Sequence, residues 1–272
     1  MRLVDMTHLV WDTNPTKTLG TGGTYLKSID STYNPLRYYK MPMYDNYLKQ
    51  CVGYETIFEV ITYRLCQLLG IESLKYDLLY ASICIDTVEL FAYITESVDF
   101  KKPGESKLTL ESYYYLKRRD SLETAYDFCN RVGFGNYIDT MLLVDFLICN
   151  RDRHGANIEV LTSGDSYRLA PLFDNGLSFV APFGNNLEAI CNFNPLLDTP
   201  CNNFIGSRSL FTNLELISDY SIPTLPDNWK IYLSSDIEES LPKDVWLKVF
   251  EIIERRYEYV CSKKVFNKRC GL

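Results

Sequence analysis

An apolar run, Met141-Leu142-Leu143-Val144-Asp145-Phe146-Leu147-Ile148, opens directly onto a polar octet, Asn150-Arg151-Asp152-Arg153-His154-Gly155-Ala156-Asn157. The run reads as a buried helix, so the octet begins where the chain leaves the core. Loops at such a point can present side chains to a cleft. A second polar element, Pro171-Leu172-Phe173-Asp174-Asn175-Gly176, follows. Asp152, Asn157 and Asp174 therefore stand in a fixed order: a carboxylate, a carboxamide five positions on, and a second carboxylate close to a glycine. Hard oxygen donors of this kind suit magnesium, and a carboxylate can also take a proton from a hydroxyl. Taken singly, each is an ordinary turn or capping residue. Their order and spacing argue for more.

Transfer of a γ-phosphoryl group asks the protein mainly for positioning and charge neutralisation around ATP and magnesium, so few side chains suffice. Protein kinases place a catalytic Asp and a metal-binding Asn five positions apart, with a second metal-binding Asp later in the chain. On that pattern Asp152 is the base that orients the acceptor hydroxyl, and Asn157 and Asp174 are the metal ligands. Residues 143–179 resemble the catalytic core of the HipA-like serine/threonine kinases, distant relatives of the phosphoinositide lipid kinases. That family's loop reads Asp-x-His-x-x-Asn, followed by Leu/Ala-x-Pro-Leu-Tyr/Phe-Asp. Here the slots hold Asp152, His154, Asn157, Ala170, Pro171, Leu172, Phe173 and Asp174. His154 is expected to brace the loop by hydrogen bonding, with core packing as the plain alternative. Many members carry Lys where this chain has Ala156, so positive charge near the transferred phosphate comes from Arg151 or Arg153, or is missing.

The resemblance places further expectations on the first hundred residues. Gly20, Thr21, Gly22, Gly23 and Thr24 precede a strand-like segment, Tyr25-Leu26-Lys27-Ser28-Ile29. A glycine-rich turn there could set backbone N–H groups against phosphates, although an ordinary hairpin turn has the same composition. In the family the corresponding loop is self-phosphorylated, which makes Thr18, Thr21 and Thr24 candidate acceptors. Leu36-Arg37-Tyr38-Tyr39-Lys40-Met41-Pro42 reads as an aromatic-rich strand closed by proline. It resembles the lysine strand, with Lys40 on the α- or β-phosphate and Lys27 as the competing choice. Apolar residues at 57, 58, 61, 65, 68 and 69 have helical spacing, and Gly70 supplies a stop. On that helix Glu59, or alternatively Glu55, would hold the lysine. A strand at 76–80 and a hairpin within 82–94 lead to a linker at 95–100, where Glu96 and Val98 are the positions carried over as the adenine hinge.

The expected fold is α+β and bilobal, protein-kinase-like. Residues 1–98 would form a small β-rich N-lobe with one helix, and 99–272 a larger, mainly helical C-lobe. Helical patterning covers 109–160, with an interruption near Gly133, and 236–265, while 183–236 reads as loops and short helices. With 272 residues, 46% of them hydrophobic, the chain can bury a large core. No apolar stretch approaches the roughly 20 residues of a membrane span, and the N-terminus lacks a signal peptide's apolar segment, so a cytoplasmic location is expected. A net charge of −7 argues against direct nucleic-acid binding. Nine scattered cysteines read as free thiols, and two histidines make a His-based zinc site improbable. The resemblance is to short, core-only members. It implies ATP and Mg2+ as cofactors, a protein substrate with a Ser/Thr acceptor, and a helix-turn-helix antitoxin as a candidate partner. A nucleotide-binding pseudokinase and a small-molecule or lipid kinase are the alternatives.

Overall fold

A computed structural model of the chain describes residues 1–11, 25–217 and 222–270, with side chains as far as residue 263. The glycine-rich turn at 20–24 lies outside the described residues. The first half builds a five-stranded sheet from β1 (Leu3–Asp5), β2 (Lys27–Asp30), β3 (Arg37–Lys40), β6 (Asp77–Ile85) and β7 (Val88–Val98), in the order β1-β6-β7-β3-β2. β1 runs parallel to β6 and the remaining pairs are antiparallel. A small ladder of β4 (Tyr44–Asp45) and β5 (Gln50–Cys51) leads into helix α1 (Glu55–Leu68).

Alternation along the β6–β7 hairpin explains its packing, since Ala81, Ile83, Ile85, Leu90, Ala92 and Ile94 turn inward against Met6, Leu9, Trp11, Tyr39 and Met41. Asp86 and Thr87 form its two-residue turn, both at positive φ (46° and 72°). That geometry matches the twist of hairpin strands, but here it lacks the glycine that would advertise it. The linker expected at 95–100 starts later than the sequence suggests. Residues 95–98 continue β7, because their backbone pairs with β3 in the register Lys40↔Thr95 to Arg37↔Val98. On α1 the apolar stripe is buried as the spacing requires. Gly70, at φ +66°, ends the helix, and the Ile71 N–H donates back to the Cys66 carbonyl.

The second half is helical with a minor sheet. β8 (Ser106–Thr109) leads into α2 (Leu110–Lys117), α3 (Ala125–Arg131) and α4 (Gly135–Leu147). Thr109 and Thr124 cap α2 and α3 by accepting from the N–H groups of Ser112 and Asp127. Helix α4 is apolar nearly all round and runs through the large core. After it come β9 (Asp152–Arg153), β10 (Glu159–Ser163) and β11 (Ser166–Leu169); β11-β10-β8 form a three-stranded sheet. This sheet falls partly within the stretch read as helical. Its strands are only four or five residues long, and β8 joins from a distant part of the chain, so little local periodicity marks it. Short helices α5 (Leu187–Asn192), α6 (Leu210–Leu214) and α7 (Trp229–Ser234), with β12 (Asn202–Asn203), occupy the region expected to be loops and short helices. The long α8 (Lys243–Cys270) closes the core with Val245, Val249, Ile252 and Ile253. The eight cysteines with described side chains are free, and no helix of the described residues is long and apolar enough to cross a membrane.

The two halves meet through aromatic packing as well as hydrogen bonds. Phe58 of α1, fully buried, stands edge-on to Phe179 at 5.3 Å. Phe58→Ala is expected to cost about 3–5 kcal/mol through lost burial and a residual cavity, read as a lowered urea midpoint with an unchanged denaturant slope.

Candidate active site

Strand β3 ends at Lys40, whose cross-strand neighbours are Lys27 and Thr95. Helix α1 passes this end of the sheet and brings Glu59, fully buried, within reach. The Lys40 ammonium donates to Glu59 Oε1 at 2.6 Å and to Asp174 Oδ1 at 2.5 Å. The other Glu59 oxygen accepts from the Thr95 hydroxyl at 3.2 Å. Asp174 arrives on a segment stitched to the first half of the chain. The Leu74 N–H donates to the Leu172 carbonyl at 2.8 Å, and the Asp174 N–H donates to the Tyr76 hydroxyl at 3.2 Å. Asp174 itself has φ 57°, a left-handed conformation in which Asp is among the better tolerated residues.

The electrostatics of this cluster follow from burial set against pairing. Burial works against the Lys40 ammonium, but Asp174 and then Glu59 outweigh it and hold its pKa well above the ordinary lysine value. Burial likewise opposes the Asp174 carboxylate, and Lys40, followed by Lys27, holds its pKa far below the usual range. Lys27 has the opposite fate. Burial is the largest influence and pushes its pKa down, Asp174 pulls it back, and the neighbouring Lys40 adds to the depression.

The stretch that carries Asp152 and Asn157 hangs on one buried guanidinium. Arg153 and Asp145 are each 1% exposed, and Arg153 donates to both Asp145 oxygens, with Nη2 at 2.8 Å from Oδ1 and Nε at 3.0 Å from Oδ2. It also donates to the carbonyls of Asn157 and Phe173 and to Asn175 Oδ1. One side chain thus ties α4, the loop and the segment carrying Asp174 together. Asn150 links the same network to Asp152: its amide donates to Asp145, and its Oδ1 accepts from the Asp152 N–H. The Asn157 amide donates to the Asp152 carbonyl at 2.8 Å, which leaves the Asn157 side-chain oxygen for another partner. Asp152 Oδ1 accepts from Asn202 at 3.2 Å, and His154 Nε2 lies 3.7 Å from Oδ2. The Ala156 N–H donates to His154 Nδ1 at 3.2 Å. Gly155 is required for close approach, since a Cβ there would meet the Glu111 side chain of α2 at 2.5 Å.

A cleft of about 930 Å³, counting the solvent at its mouth, runs between the five-stranded sheet and the helical half. At one end Val98, Phe100, Leu74 and Phe173 make an apolar slot, with Phe100 and Phe173 5.6 Å apart. The other end holds Lys40, Glu59, Asn157 and Asp174 and adjoins a recess of about 400 Å³ walled by Tyr25, Lys27, Asp152, His154, Asn157 and Asp174. The fold therefore brings together Lys40, Glu59, Asp152, His154, Asn157, Asp174 and Val98. Glu96 is elsewhere: its backbone is paired within the sheet on both sides, and its carboxylate accepts from Arg37 and Tyr39. Glu55 is buried and accepts from the Met43 N–H, so Glu59 is the glutamate on the lysine. Arg153 is the strut just described, and Arg151 lies over the rings of Phe183 and Phe193. Neither takes the place beside Ala156, whereas Lys27 lines both cleft and recess.

Magnesium is a fair match for this donor set. Among the described residues no three His, Cys, Asp or Glu side chains cluster as a metal cage. Magnesium is ordinarily held by one or two carboxylates together with substrate phosphates and water, and Asp174 with the side-chain oxygen of Asn157 could supply the protein's share. Reading the sequence missed the Arg153 strut and the reach of Asn202. Asp145 was the available signal, because a carboxylate inside an otherwise apolar helix must find a buried cation.

Such an architecture, a β-sheet half and a helical half with a polar cleft between them, is that of a kinase-like α+β fold. No family model matches the sequence, and no curated protein matches it. Among solved structures the chain is similar to the Helicobacter pylori proinflammatory kinase CtkA, with a TM-score of 0.63 and 16% identity over 100% of this chain and 99% of that one. It also matches HipA of Shewanella oneidensis MR-1, solved with HipB and operator DNA, at a TM-score of 0.46 and 14% identity over 93% of this chain and 68% of that one. The likeness to CtkA spans the whole chain and is a likeness of fold.

Replacing Lys40 by Met leaves Glu59 buried without its cation, and a buried carboxylate then holds its proton to higher pH. A group whose folded pKa is raised makes folding more favourable as pH falls. The Lys40→Met protein is therefore expected to gain stability between pH 8 and 5 relative to the parent. The parent's Asp174 behaves in the opposite sense, its depressed pKa contributing stability above the unfolded carboxylate range that is lost only at strongly acidic pH. Urea midpoints across that range for both proteins check the sign.

Proposed function

We propose that this chain is an ATP- and magnesium-dependent protein kinase that phosphorylates Ser or Thr hydroxyls. The observation carrying the reading is Lys40 held between Glu59 and Asp174 beside a recess that also contains Asp152 and Asn157. Magnesium would supply charge neutralisation between phosphates, held by Asp174 and Asn157. Lys40, fixed by Glu59, binds the α- or β-phosphate. Lys27 provides the positive charge that Ala156 does not. Asp152 accepts the proton of the acceptor hydroxyl, with Asn202 and His154 setting its carboxylate. The apolar slot at Val98 and Phe100 suits a purine ring, and Val98 lies where the chain leaves β7 for the second half. On this reading residues 1–98 are the lobe that grips nucleotide and 99–272 the lobe that carries the reacting groups. Threonines of the 18–24 segment are candidate sites of self-phosphorylation.

Intact-protein mass spectrometry before and after incubation with Mg-ATP tests the proposal. The parent should gain mass in multiples of one phosphoryl group. Asp152→Asn should slow that gain by about 100-fold or more, the usual scale for a lost general base, with Mg-ATP affinity nearly unchanged. Asp174→Ala and Lys40→Ala should weaken Mg-ATP binding as well. Gain of phosphate in the Asp152→Asn protein at the parent's rate would remove Asp152 from the chemistry.

A further inference from the structure

A second concavity, an open groove of about 1510 Å³, is lined by residues of α2 and α3, by His154 and Gly155, and by the Asn202 segment. His154 belongs to its wall and to the wall of the phosphate-end recess, so the two spaces meet at the side chain beside Asp152. Asn202, which donates to Asp152 Oδ1, lines the groove too. Its chemistry is one-sided. Among the described residues the fully charged side chains lining it are both carboxylates, Glu111 and Asp127, with no Lys or Arg. Both are exposed, and among the described residues neither forms a salt bridge; Asp127 accepts only a hydroxyl, that of Thr124, at 2.7 Å. Arg118 stands over the rings of Tyr114 and Tyr115 without lining the groove. Tyr115 and Tyr126 add amphipathic ring surface of the kind that binds peptides.

We propose that this groove seats the acceptor segment of the protein substrate as an extended peptide, with a Lys or Arg of that segment against Glu111 and Asp127. This rests on the kinase reading and adds to it a substrate class: a Ser or Thr flanked by basic residues. The acceptor hydroxyl then passes His154 to reach Asp152. Charge complementarity commits the occupant, because an acidic segment would bring like charges together. The net charge of −7 on the whole chain favours encounter with a basic partner in the same sense.

The test uses the full chain and two fluorescein-labelled synthetic peptides with one central serine, flanked on both sides by Arg and Lys in one and by Glu in the other. Fluorescence anisotropy should show the basic peptide binding roughly tenfold tighter or better, the scale of two partly exposed ion pairs, with the difference shrinking as salt rises. In the double variant Glu111→Lys, Asp127→Lys the preference should vanish or invert while Mg-ATP affinity stays the same. Because Glu111 packs against Gly155, Asp127→Lys alone serves as a second variant and should lose part of the preference. Equal binding of the two peptides, binding of neither, or an undiminished preference in both variants would overturn the proposal. The kinase reading fails separately: if the basic peptide binds through the groove but receives no Asp152-dependent phosphate from Mg-ATP, the groove stands as a peptide site and the transfer reaction does not.

Discussion

An ammonium buried between two carboxylates is the interaction on which this structure turns. Lys40 is 8% exposed, and its partners come from an α-helix and from a loop 134 residues away. Taking such charges out of water costs several kcal/mol each unless the geometry returns it. Every other feature of the region serves that geometry. The pairing of Lys40 with Thr95 and Lys27 fixes the end of β3, Thr95 holds the second Glu59 oxygen, and Tyr76 holds the backbone of Asp174. A fold seeking stability alone could replace the three charges with apolar side chains. Their retention in a cleft points to use rather than to packing.

The second constraint is the Arg153–Asp145 pair, deeper and of a different kind. It joins the end of α4 to the loop and to Asn175, next to Asp174. Arginine suits this position because its planar fork can satisfy a carboxylate and three further acceptors at once, which an ammonium cannot do. The result is a rigid base under Asp152 and Asn157, so that both are aimed by backbone held at several points instead of by a free loop. Tyr114, Phe128 and Phe204, stacked edge to face, support the same base from the α2 side.

Much of this was legible in the chain, and the reasons differ by feature. Helix α1 showed itself because its stripe has helical period and a glycine stop, and α4 because it is apolar throughout. Asp152, Asn157 and Asp174 stood out because oxygen donors in a fixed order next to a buried helix have few other uses. Lys40 and Glu59 could be named only with Lys27 and Glu55 as rivals, since sequence spacing cannot tell which side chain faces inward when a strand carries no clear alternation. The linker was placed too early because strand pairing between β3 and β7 is a nonlocal property that local polarity hides. Arg151 and Arg153 both looked available for phosphate for the same reason: a cation in a loop sequence gives no sign of the buried carboxylate or ring it will meet. Asn202 was unreadable, lying 50 residues from Asp152 and reaching it through a two-residue parallel pairing.

The charge balance of the cleft carries the argument one step further. In the described arrangement Asp174 is neutralised by Lys40, and Lys27 stands close enough to feel both. Two ammonium groups, Lys40 and Lys27, and two carboxylates, Glu59 and Asp174, thus offset one another where they meet in the cleft. Addition of polyanionic phosphate alone would upset that balance, and addition of a divalent cation alone would upset it the other way. On the kinase reading proposed above, the two together would leave Lys40 and Lys27 facing phosphate oxygens and Asp174 free to face a cation, with Glu59 still holding Lys40. On that reading the pocket's charge balance would favour a metal–nucleotide pair over either component.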